Sequence, residues 1–555
     1  MKILLTFPPL WGDLNSGPML SLPILASMLL EEGHNVSVID INAHLVNFVI
    51  SKDFSTYFCD RVSMYRNEID KDNNLKASNA PQEELLDSKL REYYKDMIHL
   101  YEKYCKNFSF TDKYGSIRAA MKDLFNKDVS EFNNLCIMLK GILNKIMKKK
   151  YTENVPKKYL LLTPWEEEVI LPIIKDFNPD IIGFSIYISD QYFWSNSFCE
   201  LLEKNTEALI VYGGSQVAQM KPNITTKDFK NRNCIMIYGE GENAFTELAK
   251  GTPLSKIPSI IYINKKNKVK INPQKNKTNS SRIKFYKPNY SNMNLDNYFV
   301  LEPVLTIESS RGCYWHKCKF CSFMDCISYK IKPVDDLIEE IREYINKYHI
   351  NHFFFTDPCI HPNYAKEFSQ KLIENNLKIY YVAWLRLEKE FDYETLKLMY
   401  DGGLRVVLWG LESGSDRILK LYNKGTKSKN NAKVLKNAHK AGIFNYCWVI
   451  TQFAGETEED LKLTHSFLSE NFENIDYVGF HIYTLMPNSP IAARPEEFGL
   501  TKEDFKIAKS YRAPINIAQL SDKLVLETMD KYKEKMDSYF ENISYTLLKV
   551  SQEKP

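Results

Sequence analysis

The chain has 555 residues, with 73 Lys and Arg against 70 Asp and Glu and a net charge of +3, a balance that argues against a general binder of nucleic acid or other polyanions. Hydrophobic residues make up 44% and charged residues 26%, which describes a multidomain globular protein and excludes a disordered, collagen-like or coiled-coil chain. The 11 cysteines are odd in number and follow no secretory leader, so a reducing cytoplasm is expected rather than a disulfide framework.

In chain order, Ile3–Phe7 predicts a strand, Leu22–Glu32 a helix, Gly33-His34 a turn and Val36–Asp40 a second strand, the opening of an α/β layer. Residues 51–160 are rich in Lys, Asn, Tyr and Glu, and Leu86, Leu90, Tyr93, Met97, Tyr101 and Tyr104 recur at helical spacing, which predicts a helical insertion. The α/β rhythm resumes with strand Ile181–Ile186, a helix near Phe198–Lys204, and strands Ala208–Tyr212 and Cys234–Tyr238. These last two end in Gly213-Gly214 and Gly239-Glu240-Gly241-Glu242. Glycine-bearing strand ends that open into helices form the crevice in which open parallel sheets bind ligands. Ile260–Ile263 and Val269–Ile271 predict a hairpin, followed by a polar stretch that reads as a linker. The lysines from Lys265 to Lys287 read as a solvated run rather than a dock for an acidic peptide.

From Val304 onward strands and helices alternate. Strands are predicted at Val304–Ile307, His352–Phe355, Ile379–Trp384, Arg405–Leu408, Tyr446–Thr451 and Tyr477–Tyr483, and helices between them at Val334–Tyr348, Glu367–Asn375, Tyr393–Tyr400, Asn431–Ala441 and Glu458–Leu468. Such alternation predicts a parallel sheet at least partly closed into a barrel, with chemistry at the strand C-terminal ends. Pro23 and Lys140 interrupt the longest apolar stretches, so no membrane span is expected.

Cys313-Tyr-Trp-His-Lys-Cys318-Lys-Phe-Cys321 has the form C-x-x-x-x-C-x-x-C directly after the first barrel strand. Three thiolates on one loop can converge on a soft metal centre. Zinc would require a fourth ligand, for which Cys326 or His316 is at hand, whereas a four-iron cluster on three cysteines keeps one iron open. A zinc ribbon needs a hairpin and none is visible in the sequence here, so the spacing favours iron-sulfur; a zinc-stabilised binding protein without catalytic activity is the alternative.

The stretch Glu308-Ser-Ser-Arg-Gly-Cys-Tyr-Trp-His-Lys-Cys-Lys-Phe-Cys-Ser322-Phe323 resembles the cluster loop of radical S-adenosylmethionine (radical SAM) enzymes. Asp357, Arg386, Gly410-Leu411-Glu412-Ser413-Gly414 and Phe453-Ala454-Gly455-Glu456-Thr457, after successive strands, are similar to that family's cofactor-contacting strand ends, over about residues 300–495. The resemblance implies a [4Fe-4S] cluster on Cys313, Cys318 and Cys321, with S-adenosylmethionine on the fourth iron and against Phe320, Asp357, Arg386, Glu412, Ser413 and Gly455. It further implies that an electron from a donor such as flavodoxin or ferredoxin cleaves the sulfonium to a 5′-deoxyadenosyl radical. The family's commonest loop has one residue fewer between its first two cysteines. Physically, Asp357 and Glu412 suit an ammonium or ribose hydroxyls and Arg386 a carboxylate. Each alone also suits a cap or surface pair; together, at successive strand ends, one bound ligand explains them better.

Ile3–Pro9, Gly33-His34, Asp40, Pro179-Asp180-Ile-Ile-Gly183-Phe-Ser185, Gly213-Gly214 and Gly239-Glu-Gly-Glu242 look like the cobalamin-binding domain that precedes many radical SAM enzymes. That implies a doubly wound, Rossmann-like sheet with cobalamin near Trp11, Ser185, Tyr187, Gly213, Gly214, Ser215, Gly239, Glu240 and Gly241. The D-x-H-x-x-G motif that supplies a cobalt-ligating histidine is absent, and Pro8-Pro9-Leu10-Trp11-Gly12 stands in its place. Trp11 reads as a core tryptophan, with a cover for the lower cobalamin face as the alternative.

The expected architecture is α/β: a cobalamin-binding-type domain at 1–50 and 161–285 with a helical insertion at 51–160, a linker at 286–300, a partial (β/α)6 radical SAM barrel at 301–496 and a helical region at 497–555. The expected function is cobalamin-dependent C-methylation of a ribosomal precursor peptide or secondary metabolite, the alternative being a cobalamin-independent cyclase, epimerase or sulfur-inserting enzyme. No nucleic-acid or membrane partner is expected. Cys326 and Cys359 read as small buried hydrophobes, with redox or substrate-facing roles as alternatives, and Trp384 and Tyr483 as core or pocket wall.

Overall fold

The computed structural model describes residues 1–9, 17–49, 162–229, 233–274, 285–298, 300–321, 329–486, 489–498, 500, 513–537 and 543–553, with isolated positions between 127 and 143. Trp11, Cys326 and nearly all of the expected helical insertion lie outside the described residues. The chain divides into two compact units: residues 1–218, 224–275 and 288–303 form the first, and residues 219–223, 276–287 and 304–555 the second.

The first unit is built on a seven-stranded sheet of order β2-β1-β3-β4-β5-β6-β7. Its strands are β1 (Lys2–Phe7), β2 (Asn35–Asp40), β3 (Ile181–Ser185), β4 (Leu209–Gly213), β5 (Cys234–Ile237) and the hairpin β6 (Ile260–Ile263) and β7 (Val269–Ile271). The first five pair in parallel, and the hairpin adds antiparallel. Ile3, Leu4 and Leu5 of β1 and Ile181 and Ile182 of β3 are buried without alternation, the mark of a parallel sheet covered on both faces. Strand order reverses between β1 and β3, which puts the crevice beyond their C-terminal ends. The stretch read as a linker is in part packed: Tyr290 and Tyr298 are buried, and the Tyr298 hydroxyl donates to Asp40 Oδ2 at 3.0 Å.

The second unit carries a six-stranded, all-parallel sheet of order β8-β11-β12-β13-β14-β15. These strands are β8 (Leu305–Ile307), β11 (His352–Phe355), β12 (Tyr380–Leu385), β13 (Leu404–Glu412), β14 (Phe444–Thr451) and β15 (Tyr477–Ile482). A helix precedes each strand after β8, and its apolar stripe faces the sheet, as where Phe368 of Pro362–Glu374 meets Phe355 and Tyr381 edge-on at 5.5 and 5.8 Å. Helix Glu458–Glu470 starts on a capping box in which Thr457 and Asp460 satisfy each other's backbone N–H groups.

A small antiparallel ladder that the sequence does not reveal, β9 (Ser310–Arg311) with β10 (Lys330–Ile331), brackets the cysteine loop. Its strands are joined through residues 312–329, so it closes the base of a long loop and is not the tight hairpin of a zinc ribbon. Two residues a side are too few to give any periodic signal, and the ladder is set by neighbours: Glu308 grips Arg311 through both Nε (2.9 Å) and Nη2 (2.8 Å). Lys332 N donates to Ser309 O at 2.8 Å. At the C-terminal end, helix Ile515–Asp537 packs on helix Glu458–Glu470, and helix Ile543–Glu553 lies against β12 and β13.

Candidate active site

The cysteine loop leaves the β8 end through a buried turn. Asp357, after β11, accepts from Ser309 N, Ser309 Oγ (2.6 Å) and Ser310 Oγ (2.7 Å). Burial pushes its carboxyl above the usual carboxylate range even though these donors pull the other way. Asp357 therefore fixes the base of the loop rather than facing open space. Cys313 follows, its Sγ 3.2 Å from Sγ of the buried Cys359. The contact with Cys359, with help from the loop's own backbone N–H groups and Arg386, holds the Cys313 thiol down at about 5 against its burial; Cys359 itself is pushed up. Burial raises Cys318. Cys313, Cys318 and Cys321 all stand outside any disulfide.

The far side of the loop docks on the turn after helix Asp416–Leu421. Trp315 Nε1 donates to Asn423 O at 2.8 Å and Lys319 N to Tyr422 O at 2.9 Å. Phe320 enters an apolar cluster with Tyr422 and Phe453, ring centroids 5.9 and 5.8 Å away. Arg386, directly after β12, stacks over Trp315 at 4.6 Å, ion-pairs with Glu388 at 2.8 Å, donates to Lys424 O and comes within 3.8 Å of Cys318 Sγ. Glu412 leaves β13 through a bulge at φ 63°, and that twist aims its carboxylate at Lys424 Nζ, 2.7 Å away. Both side chains are close to buried.

Six residues were expected around one ligand. Arg386, Glu412 and Phe320 gather at the cysteine loop. Ser413 turns away to Thr464 Oγ1 at 3.0 Å, Gly455 O accepts from Arg417 at 2.6 Å, and Asp357 is spent on the loop base. Lys424 and Trp315 complete the group and were not singled out in the sequence. Trp315 lies inside the motif itself, whereas Lys424 has no local signal beyond the Gly425 that follows it. Trp384 stacks on Trp448 at 6.1 Å, and Trp448 on His481 at 4.6 Å, an aromatic wall across β12, β14 and β15; Tyr483 is core.

In the first unit, Ser185, Tyr187, Gly213, Gly214, Ser215, Gly239, Glu240 and Gly241 all stand at strand C-terminal ends. Ser185 Oγ meets Ser21 Oγ at 2.8 Å, and Ser215 Oγ donates to Tyr187 O at 2.8 Å. Tyr187 is 53% exposed, and the space where a Cβ would stand on Gly213 is empty.

Residues 307–468 match the model of the Radical SAM superfamily. The chain carries a radical SAM domain. Among curated proteins it is 29% identical to an uncharacterized methyltransferase of Pyrococcus horikoshii over 58% of this chain and 70% of that one. It is 24% identical to cytidylyl-2-hydroxyethylphosphonate methyltransferase of Streptomyces wedmorensis over 59% of this chain and 67% of that one. Among solved structures it shares its fold with the methyltransferase TsrM from Kitasatospora setae (TM-score 0.55, 14% identity, 88% of this chain and 74% of that one). It also shares it with OxsB, solved with aqua-cobalamin and S-adenosylmethionine bound (TM-score 0.51, 18% identity, 65% and 59%). The α/β architecture expected from the sequence, a parallel sheet domain followed by a radical SAM barrel, is the one these folds display.

A radical SAM domain implies an enzyme with a [4Fe-4S] cluster and S-adenosylmethionine. Among the described residues, no three His, Cys, Asp or Glu side chains are gathered tightly enough for a single metal ion. A four-iron cluster spreads its thiolates over separate irons, and a loop bearing three cysteines outside any disulfide and anchored at both flanks fits that need. Two ion pairs, Lys424–Glu412 and Arg386–Glu388, stand beside it, and exchange of partners with an amino-acid zwitterion would match its carboxylate to a cation and its ammonium to a carboxylate. Among the described residues no helix is long and apolar enough to cross a membrane.

Proposed function

We propose that the protein is a cobalamin-dependent radical SAM C-methyltransferase acting on an unactivated carbon of a precursor peptide or secondary-metabolite intermediate, in the cytoplasm, with flavodoxin or ferredoxin as electron donor. The observation that carries the reading is the cysteine loop held beside Arg386, Glu412 and Lys424 at one end of the parallel barrel. The relatives named as methyltransferases and the cobalamin-bound OxsB fold support methyl transfer and the second cofactor.

Cys313, Cys318 and Cys321 would hold the cluster, Lys424 and Glu412 the amino-acid end of S-adenosylmethionine, and the rim at Tyr187, Gly213 and Gly241 the cobalamin. When bound, these groups supply reductive cleavage of the sulfonium and a transferable methyl. The chain's own part is orientation and exclusion of water. Phe320, Tyr422 and Phe453 wall one flank with apolar rings, which protects a carbon radical from side reactions. The Trp384–Trp448–His481 wall offers a face for the acceptor.

Protein purified anaerobically from cells grown with cobalamin and then reconstituted with iron and sulfide should hold about four irons. It should also contain extractable cobalamin and release 5′-deoxyadenosine from S-adenosylmethionine under a strong reductant. Cys318→Ala should abolish that release. One zinc and no iron per chain would overturn the radical reading, and a cluster without cobalamin would leave a cobalamin-independent radical enzyme.

A further inference from the structure

Cys359 belongs to no motif, yet the fold presents it to the cysteine loop with little freedom. It lies in Asp357-Pro358-Cys359, just beyond β11, with its Sγ 3.2 Å from that of Cys313 and 1% of its surface exposed. Three contacts fix this segment. Asp357 holds Ser309 and Ser310 at the loop base, and Ile360 N donates to Trp384 O at 3.3 Å. The His361 ring meets Tyr314, the residue after Cys313, edge-on at 4.9 Å. The segment and the loop are thus tied on either side of the sulfur pair. Cys359 is buried and Cys313 is partly so, which leaves the Cys359 thiol little but the Cys313 sulfur to meet.

Two sulfurs at this distance cannot both carry charge. Where Cys313 ligates iron as a thiolate, the Cys359 S–H is a donor to it. We propose that Cys359 is a positioning residue for the cluster, donating a hydrogen bond to the Cys313 sulfur and so raising the cluster's reduction potential. The inference rests on the cluster reading above. Its physics is general: the reduced cluster carries one more electron than the oxidised one, and a donor on a ligating sulfur stabilises the more negative state. No bond is made or broken, and no oxidant is needed.

The test uses the full chain, as wild type, Cys359→Ala and Cys359→Ser, each reconstituted anaerobically and titrated with reductant while the reduced cluster is followed by electron paramagnetic resonance, without S-adenosylmethionine. All three should hold about four irons and give the same circular dichroism. The Ala variant should be roughly tenfold harder to reduce, a midpoint about 59 mV lower for one electron. The Ser variant, whose hydroxyl restores a donor, should recover most of that shift. An unmoved midpoint in the Ala variant overturns the proposal. So does loss of iron in the Ala and Ser variants alone, because it would make Cys359 a ligand, and so does a Cys313–Cys359 disulfide in the anaerobic protein. If wild type takes up no cluster at all, it is the cluster reading that falls.

Discussion

Glu412 spends strain to reach Lys424. A non-glycine residue at φ 63° costs on the order of 1 kcal/mol or more, and the ion pair it forms is almost closed off from solvent, where an unpaired charge would cost far more. The pair fits because residue 410 has no side chain. A Cβ there would stand 2.8 Å from both Glu412 Oε1 and Lys424 Nζ, and both atoms are the movable ends of long side chains. Gly410→Ala should therefore fold normally, with unchanged circular dichroism and iron content, but push the pair aside. S-adenosylmethionine affinity, measured by equilibrium dialysis on reconstituted protein, should weaken about tenfold, or ~1.4 kcal/mol. Unchanged affinity would remove Glu412 and Lys424 from the cofactor site.

The turn after β14 and the first turn of helix Glu458–Glu470 hold two carboxyls shifted in opposite directions. Burial pushes Glu456 up to about 8, against the pull of the Phe453 and Gln452 N–H groups. Asp460 is held down at about 2, its burial outweighed by hydrogen bonds from Arg417, Ser415 and Thr457. A carboxyl raised in the folded state keeps its proton where the unfolded chain has lost it, so Glu456 makes stability fall as pH rises from about 4.5 to 8, by about 1.4 kcal/mol per unit. Glu456→Gln mimics the protonated form. Its melting temperature should match wild type near pH 5 and exceed it near pH 8.5; equal curves at both would show an ionised Glu456 throughout the range. At this scale the sequence was readable in part. His352–Phe355 and Val334–Tyr348 were placed to the residue because apolar runs and a 3.6 period are local signals. The β9–β10 ladder, the bulge at Glu412 and the attachment of Asp357 to Ser309 and Ser310 were not, because each is fixed by partners far along the chain. For Asp357 and Ser413, residue type and strand end were visible in the sequence, and their hydrogen-bond partners Ser309, Ser310 and Thr464 were not.

At the scale of the whole chain, each unit has its own parallel sheet and its own core. Ile3, Ile182 and Ile210 are buried in one and Phe353, Val407 and Val449 in the other. The residues proposed for cobalamin all belong to the first unit, and the three cluster cysteines with Arg386, Glu412 and Lys424 all belong to the second. A ligand stabilises the states that bind it, so with a separate sheet and core in each unit, loss of a ligand from the second should leave the first folded. Cys318→Ala tests this separation on the full-length protein. Cys318 is 9% exposed, and the truncation removes one sulfur from a loop end rather than from either sheet. The variant should lose iron and 5′-deoxyadenosine production while retaining wild-type cobalamin per chain after anaerobic gel filtration, measured by its absorbance after cyanide extraction. Loss of cobalamin together with iron would mean that the cluster loop and the first unit's rim fold as one cooperative site.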